Sequence, residues 1–275
     1  MKIDSSTRIL LTGASGGIGT HLCEVLARTG AHLMLVANPG VDLRIVQKRV
    51  IELGGKADYL VADLRTDEGI TSTVDETLRV LGGIDILINN AGIEYTIAYH
   101  ELPEQDMLDV MNVNLIAAMR LTRRLLPSML GQKKGHIVCM SSLAGRAAPA
   151  YQEPYAASKA GLVAFTYSLR ATYRGSGVSA SVICPGFVDT GIYQRLCEKT
   201  GMKAPSLLGS SKVEAVGRAL LRAIASDIPD VLVNPIPVRP LLALAQLFPK
   251  LGEKLIIATG GHEFFRRVAE RLKTN

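Results

Sequence analysis

The chain has 275 residues, 48% hydrophobic and 20% charged, with a formal net charge of +6 and no tryptophan. That balance excludes a disordered chain and suffices for one or two domains with a buried core. The basic residues form no stripe interleaved with stacking aromatics, so nucleic-acid binding is not expected.

The elements follow in chain order. Arg8–Leu11 is a short apolar run ending in a glycine-rich turn, and Ile18–Arg28 has helical spacing. Leu33–Val36 reads as a second strand, Val41–Leu53 as a helix stopped by Gly54-Gly55, and Tyr59–Ala62 as a third strand. Thr66-Asp67 opens a helix to Leu81, closed by Gly82-Gly83, and Ile84–Ile88 is a fourth strand. Pro103–Leu130 is one long helical stretch. His136–Met140 is a fifth strand, Tyr155–Arg174 a helix, Val178–Ile183 a sixth strand, Lys212–Ser226 a helix and Val231–Val233 a seventh strand. The strand runs are apolar rather than alternating, as expected of a parallel sheet covered on both faces. Strand–helix alternation with short links predicts a doubly wound α/β domain over residues 1–235.

Residues 236–275 have another texture. A proline-rich link leads to Pro240–Leu251, almost wholly apolar and broken by Pro249, and then to an amphipathic His262–Lys273. From Arg239 onward seven basic residues face three acidic ones, whereas the first 238 residues are nearly balanced. This segment is read as a helical extension packed on the domain, suited to an apolar substrate entrance, a subunit contact or an anionic membrane surface. The cysteines Cys23, Cys139, Cys184 and Cys197 form no C-x-x-C pair, so buried reduced thiols and no metal site are expected. Met1–Leu11 has no long apolar stretch, and no run of 18 uncharged apolar residues occurs. A cytoplasmic protein without a signal peptide or spanning helix is expected.

Two motifs carry chemistry. Thr12-Gly13-Ala14-Ser15-Gly16-Gly17-Ile18-Gly19 lies between a strand and a helix, where backbone N–H groups and the helix N-terminus can cradle phosphates. Tyr155 and Lys159 lie at i and i+4, which puts phenol and ammonium on one helix face. A nearby ammonium favours the phenolate, tuning the tyrosine for proton exchange at an alcohol or carbonyl oxygen.

With four further motifs these residues resemble the short-chain dehydrogenase/reductase family. The turn matches T-G-x-x-x-G-x-G, and Asn89-Asn90-Ala91-Gly92 matches N-N-A-G after the fourth strand. Asn114 matches the family's helix asparagine, Ser142 lies thirteen residues before Tyr155, and Pro185-Gly186 with Thr190 matches P-G-x-x-x-T. The resemblance covers Thr7 to Val233. It implies a Rossmann-like parallel seven-stranded sheet with helices on both faces, and hydride exchange between NAD(P)(H) and a secondary alcohol or ketone. By position, Tyr155 would be the general acid/base, Lys159 would lower its pKa and hold the ribose, Ser142 would bond the substrate oxygen, and Asn114 would anchor a relay water. Gly13, Ser15, Gly17, Ile18 and Gly19 would hold the phosphates. Asn38, Asp63 and Leu64 would meet the adenosine end. Asn90, Ala91, Gly92, Pro185, Gly186, Val188 and Thr190 would line the rest of the cofactor site.

Two departures shape the expected specificity. Ala37-Asn38-Pro39 lacks the acid that NAD-preferring members carry after the second strand, and the turn lacks the basic residue of many NADP-preferring ones. Arg44 and His21 are candidate substitutes. NADP(H) is expected to be preferred, with NAD(H) left open. Ile93, Tyr95, Leu143, Ala144, Phe187 and Ile192 offer apolar walls, so a steroid-, retinoid- or fatty-acyl-like substrate is expected. A 3-oxoacyl thioester reductase is the alternative enzyme, with Arg120, Arg123, Arg124, Lys133 and Lys134 facing an acyl carrier protein. A non-catalytic NAD(P) sensor is the alternative of another class. Family members pair through the helices matching Pro103–Leu130 and Tyr155–Arg174, so a homodimer or homotetramer is expected.

Overall fold

The apolar runs become seven strands of one sheet in the computed structural model, which describes residues 1–206 and 208–274. The strands are β1 (Arg8–Thr12), β2 (His32–Ala37), β3 (Lys56–Val61), β4 (Ile86–Asn89), β5 (Gly135–Met140), β6 (Val178–Pro185) and β7 (Asp230–Val233). Their order is β3-β2-β1-β4-β5-β6-β7, and every adjacent pair is parallel. Strand residues alternate between two cores, as the pleat demands. Ile9, Leu11, Leu33, Leu35, Ile86 and Ile88 join one core, and Leu10, Met34, Val36 and Leu87 the other.

Helices α1 (Gly17–Ala27), α2 (Arg44–Glu52) and α9 (Val213–Ala225) cover the first core with Leu22, Leu26, Val50, Val216 and Leu220. On the opposite face lie α3 (Asp67–Leu81), α4 (Glu104–Met111), α5 (Ala117–Gly131) and α7 (Glu153–Thr172), whose Ile70, Val74, Leu121, Leu125 and Leu162 complete the second core. The boundaries of α3 are set as its sequence implies. Thr66 accepts the Gly69 amide at 3.0 Å, and Gly82 stops the helix at φ +68°. The chain runs outward in both directions from β1 and β4, and their carboxyl ends open a crevice.

The expected single helix over Pro103–Leu130 is interrupted. A π turn over Asn112–Ile116 joins α4 to α5 and contains Asn114. The uniformly apolar strand pattern fails at β3, which has only one neighbour in the sheet. Its residues alternate in exposure, and Tyr59 and Val61 are exposed. Two helices absent from the sequence reading appear after β5 and β6: the short α6 (Ala144–Ala147) and α8 (Gly191–Thr200).

The expected C-terminal extension is present as α10 (Arg239–Leu247), α11 (Pro249–Ala258) and α12 (Gly261–Thr274). Pro249 ends one helix and starts the next, where its missing N–H costs nothing. Gly252 lets α11 approach α10, since a Cβ there would lie 2.6 Å from Ala245 Cα. Phe264, Phe265 and Val268 of α12 form a third apolar cluster with Leu196 of α8.

Candidate active site and cofactor cleft

A cavity of about 1230 Å³ occupies the crevice at the carboxyl ends of the strands. At one end lies the glycine turn. Gly13 takes φ +66°, and a Cβ there would sit 2.8 Å from Ala91 Cα. A Cβ on Gly17 would lie 2.0 Å from Thr190 Oγ1, and one on Gly19 2.0 Å from Gly13 O. The turn is therefore closed to any side chain at these positions. No side chain caps the first turn of α1, whose Gly16 N-cap is followed by Gly17, Ile18 and Gly19 on the cavity wall. Its amides and the helix dipole are left to an anionic ligand, which is what a dinucleotide pyrophosphate requires.

The N-N-A-G segment holds this turn in place. Asn90 Nδ2 donates to the carbonyls of Thr12 at 3.0 Å and Gly13 at 3.1 Å. Thr12 Oγ1 accepts the amides of Asn90 and Ala91 at 3.0 and 3.1 Å. The Asn90 side chain is thus a brace between β1 and β4, while Asn90, Ala91 and Gly92 line the cleft.

Midway along the cavity stand Ser142, Tyr155 and Lys159. Ser142 Oγ accepts the Ala144 amide at 3.1 Å and donates to Pro185 O at 3.4 Å, and it also hydrogen-bonds the Tyr155 hydroxyl. Lys159 Nζ donates to Met140 O at 2.9 Å and lies 5.6 Å from the Tyr155 ring centroid. Burial pulls this ammonium down to about 8. The expected depression of the Tyr155 pKa by Lys159 is not what the geometry produces. Burial pushes the phenol up to about 12, against the Ser142 hydrogen bond, and the Glu94 carboxylate pushes the same way. The ammonium is tied to a carbonyl beneath the ring rather than to the hydroxyl, so burial wins. Tyr155 is a protonated donor at neutral pH.

Asn114 is buried and stands behind Gly92 instead of on the cavity wall. Its Oδ1 accepts the Ile93 amide at 2.8 Å, and its Nδ2 donates to Ile93 O at 3.0 Å and Ser158 Oγ at 3.1 Å. The side chain is a clamp on the segment after β4. A Cβ on Gly92 would lie 3.2 Å from Lys159 Nζ and 3.4 Å from Asn114 Oδ1, so the chain at Gly92 passes close to both side chains. The π turn widens the helix at Asn114, a distortion common at functional sites.

Most of the other expected residues lie on the wall of the same cavity. Ser15, Asn38, Leu64, Pro185, Gly186, Val188 and Thr190 line the cavity. Asp63 does not. Its carboxylate accepts hydrogen bonds from Arg65 Nε at 3.0 Å and Arg65 Nη2 at 2.7 Å, and that guanidinium holds it below the usual carboxylate range. Arg65 bridges Asp63 to Asp109 and itself lines the cavity. The candidate cations Arg44 and His21 do not line it: Arg44 pairs with Asp42 at 2.9 Å, and His21 packs on Gly217 of α9. On the proposed carrier face, Arg120 and Arg124 are tied to Asp67, and Lys134 to Asp85 at 3.2 Å.

Glu94 is among the titratable wall residues that escaped the sequence reading, with Arg65, Asp109, Arg146, Arg195, Glu253 and His262. Glu94 is half-buried in the loop after β4 and lines the cavity. Its carboxylate accepts Gln152 Nε2 at 2.7 Å and bonds Thr96 Oγ1, and burial raises its pKa. Gln152 precedes α7 by one residue, so this network ties the β4 loop to the start of the helix that carries Tyr155. A lone Glu after N-N-A-G carries no sequence signal of that tie, because Gln152 is 58 residues away.

The extension supplies more of the wall: Leu241, Leu242, Ala245 and Ile256 from α10 and α11 and Phe265 from α12 line the cavity with Ile93, Tyr95, Leu143, Phe187 and Ile192, beside the polar Arg195, Gln246, Glu253 and His262. Phe187 packs against Tyr193 with ring centroids 4.9 Å apart, and against Phe264 and Phe265 at 5.7 and 6.0 Å.

Residues 7–201 match the family model described as short chain dehydrogenase. The chain is 36% identical over 268 residues to the ketoacyl reductase HetN of a Nostoc species, covering 95% of this chain and 92% of that protein. It is 32% identical over 221 residues to the 3-oxoacyl-[acyl-carrier-protein] reductase FabG of Thermotoga maritima, covering 79% of this chain and 89% of that one. A metagenomic short-chain oxidoreductase solved in complex with NADP superposes with a TM-score of 0.72 at 28% identity, covering 86% of this chain and 100% of its own. A putative short-chain alcohol dehydrogenase from Sinorhizobium meliloti gives 0.73 at 27% identity, covering 83% of this chain and 94% of that one.

Proposed function

This chain belongs to the short-chain dehydrogenase family of oxidoreductases, and from that premise we propose that it reduces a ketone borne on an apolar, fatty-acyl-like substrate. The observation that carries this reading is one cavity with a glycine cradle at one end, a protonated phenol at its centre and an apolar wall at the other. A nicotinamide cofactor bound in the cleft supplies the hydride. Every other task falls to the chain. The amides at the start of α1 hold phosphate. Ser142 positions the substrate oxygen beside Tyr155. Tyr155 gives its proton to that oxygen as negative charge develops there. Lys159, charged at neutral pH with a pKa of about 8, adds a positive potential beneath the ring and a donor beside Gly92. Asn114 acts as a positioning residue by clamping Ile93.

A preference for NADPH is supported by the absence of an acid at Asn38 and by Arg65 on the adjacent wall, and by the NADP found in a structural neighbour. Reduction of a carrier-bound 3-oxoacyl thioester is the second reading, favoured by the names of the relatives. It is weakened by the internal pairing of Arg120, Arg124 and Lys134. A sensor without turnover has no use for a Ser–Tyr–Lys set around a ketone-sized space. Self-association through the outer faces of α5 and α7 belongs to the same reading. Ala157, Ala160 and Ala164 are exposed there beside Tyr167, and Met119 is exposed on α5. A monomer by light scattering at micromolar concentration removes that part of the reading.

The deciding experiment follows nicotinamide absorbance with NADPH and NADH against ketones of rising chain length, free and carrier-bound. Turnover is expected with NADPH and to rise with chain length on free ketones. In Tyr155→Phe it should fall by about 10²–10⁴-fold, with cofactor binding retained. Near wild-type kcat in that variant, or turnover confined to carrier-bound substrate, defeats the reading.

A further inference from the structure

The α10–α11 hairpin has two faces. Its inner face lines the cavity through Leu241, Ala245, Pro249, Gly252 and Ile256. Its outer face bears Leu244, Leu247 and Phe248 at the i, i+3, i+4 spacing of one helix side, continued by Leu251 across the turn. Leu247 is 74% exposed and Phe248 57%, and Gly252 is the only buried residue in the two helices. Helices this apolar are ordinarily buried, and a contiguous apolar tip left in water marks an interaction surface.

Charge decides what covers it. The other basic groups of the extension are engaged. Arg239 bonds Asp230, Arg266 and Arg267 bond Glu263, Lys273 pairs with Glu101, and Arg271 donates to Thr200 O. Lys250 and Lys254, one turn apart on α11, are exposed, and among the described residues no acid lies within ion-pair distance of either. Two unpaired ammonium groups around an apolar tip complement anionic headgroups over hydrocarbon. Glu253, the acid between them, lies on the inner face that lines the cavity, so a second copy stacked on the outer face would set Lys250 and Lys254 against their own kind. Among the described residues no helix is long and apolar enough to cross a bilayer, so the tip can reach only the interfacial layer.

We propose that the α10–α11 hairpin docks the protein on an anionic lipid surface, with Leu247, Phe248 and Leu251 in the acyl boundary and Lys250 and Lys254 at the phosphates. The inner face of the same hairpin is a wall of the cavity, so docking puts the substrate space one helix away from the bilayer. This deepens the apolar-substrate reading, but the docking itself stands on the outer face alone.

The test is co-sedimentation of the full chain with vesicles of phosphatidylcholine alone or mixed with phosphatidylglycerol. Binding is expected to the mixed vesicles and to weaken with salt. Removing each lysine, as in Lys250→Ser or Lys254→Ser, should weaken it about fivefold. Leu247→Glu combined with Phe248→Glu should abolish it while leaving the melting temperature and the turnover of a small soluble ketone unchanged. No sedimentation with either vesicle overturns the proposal. So does a soluble dimer that the Glu pair dissociates, which would assign the face to a second copy. Failure to turn over any ketone, with vesicle binding intact, would strike the reaction and leave the docking standing.

Discussion

The end of the cleft proposed for the cofactor and the end proposed for the substrate are held by different forces. At the cofactor end the contacts are made against backbone atoms. Gly13, Gly17 and Gly19 sit where a Cβ would collide with main-chain or Thr190 atoms, and Asn90 and Thr12 fasten β4 to β1 with four hydrogen bonds. At the substrate end the contacts are side chain against side chain. Phe187, Tyr193, Phe264 and Phe265 stack across three separate parts of the chain, and α10 has no buried residue at all. The first arrangement tolerates almost no change of residue, because backbone atoms cannot move aside. The second allows apolar exchange at constant volume, which is how a pocket changes substrate while its chemistry stays in place.

The sharpest way to break this comparison is Gly19→Val. Its Cβ would lie 2.0 Å from Gly13 O, and the turn must open to admit it. Cofactor affinity, read by nicotinamide fluorescence, should drop about 100-fold, equivalent to roughly 3 kcal/mol of strain. Gly16→Ala is its control, since a Cβ there meets Gly13 O at an ordinary 3.5 Å and binding should stay within about twofold. Equal losses in both variants would mean that the turn is not governed by backbone clearance.

A smaller effect is expected from Phe265→Ala. The ring is buried at the junction of α12 with Phe187, and its removal leaves a space between the two. If α12 shapes the substrate end, turnover of a long-chain ketone should fall about tenfold while a small ketone is spared. A global loss of melting temperature with equal loss on both ketones would make α12 part of the domain core and erase the contrast between the two ends.

The mildest change tests the carboxylate between the two ends. Glu94 raises the Tyr155 pKa by its charge, so Glu94→Gln keeps the bond to Gln152 in outline and removes the field. With the carboxylate gone that pKa moves down, so the phenolate absorbance of Tyr155, read as the difference from Tyr155→Phe, should appear at a pH lower by less than about one unit. An unmoved titration would reduce Glu94 to a strut for the start of α7.

What the sequence determined by itself lies at the level of local backbone demand. The strand–turn–helix order, the glycine turn, the Thr66 cap and the placing of Tyr155 and Lys159 on one helix face all depend on residues within a few positions of each other. Residue type there states the geometry directly: glycine where φ is positive or a Cβ would clash, threonine where an amide needs an acceptor. The tertiary structure alone decided the rest. It turned Asp63 toward Arg65, drew Asn114 behind Gly92 on a π turn, and joined Glu94 to Gln152. It also coiled Gly191–Thr200 into a helix under α12, and split the apolar tail into a cavity face and an outward face. Each of these depends on a partner far away in the chain. A side chain carries its own propensity in its name, but its neighbour in space is chosen by topology and packing.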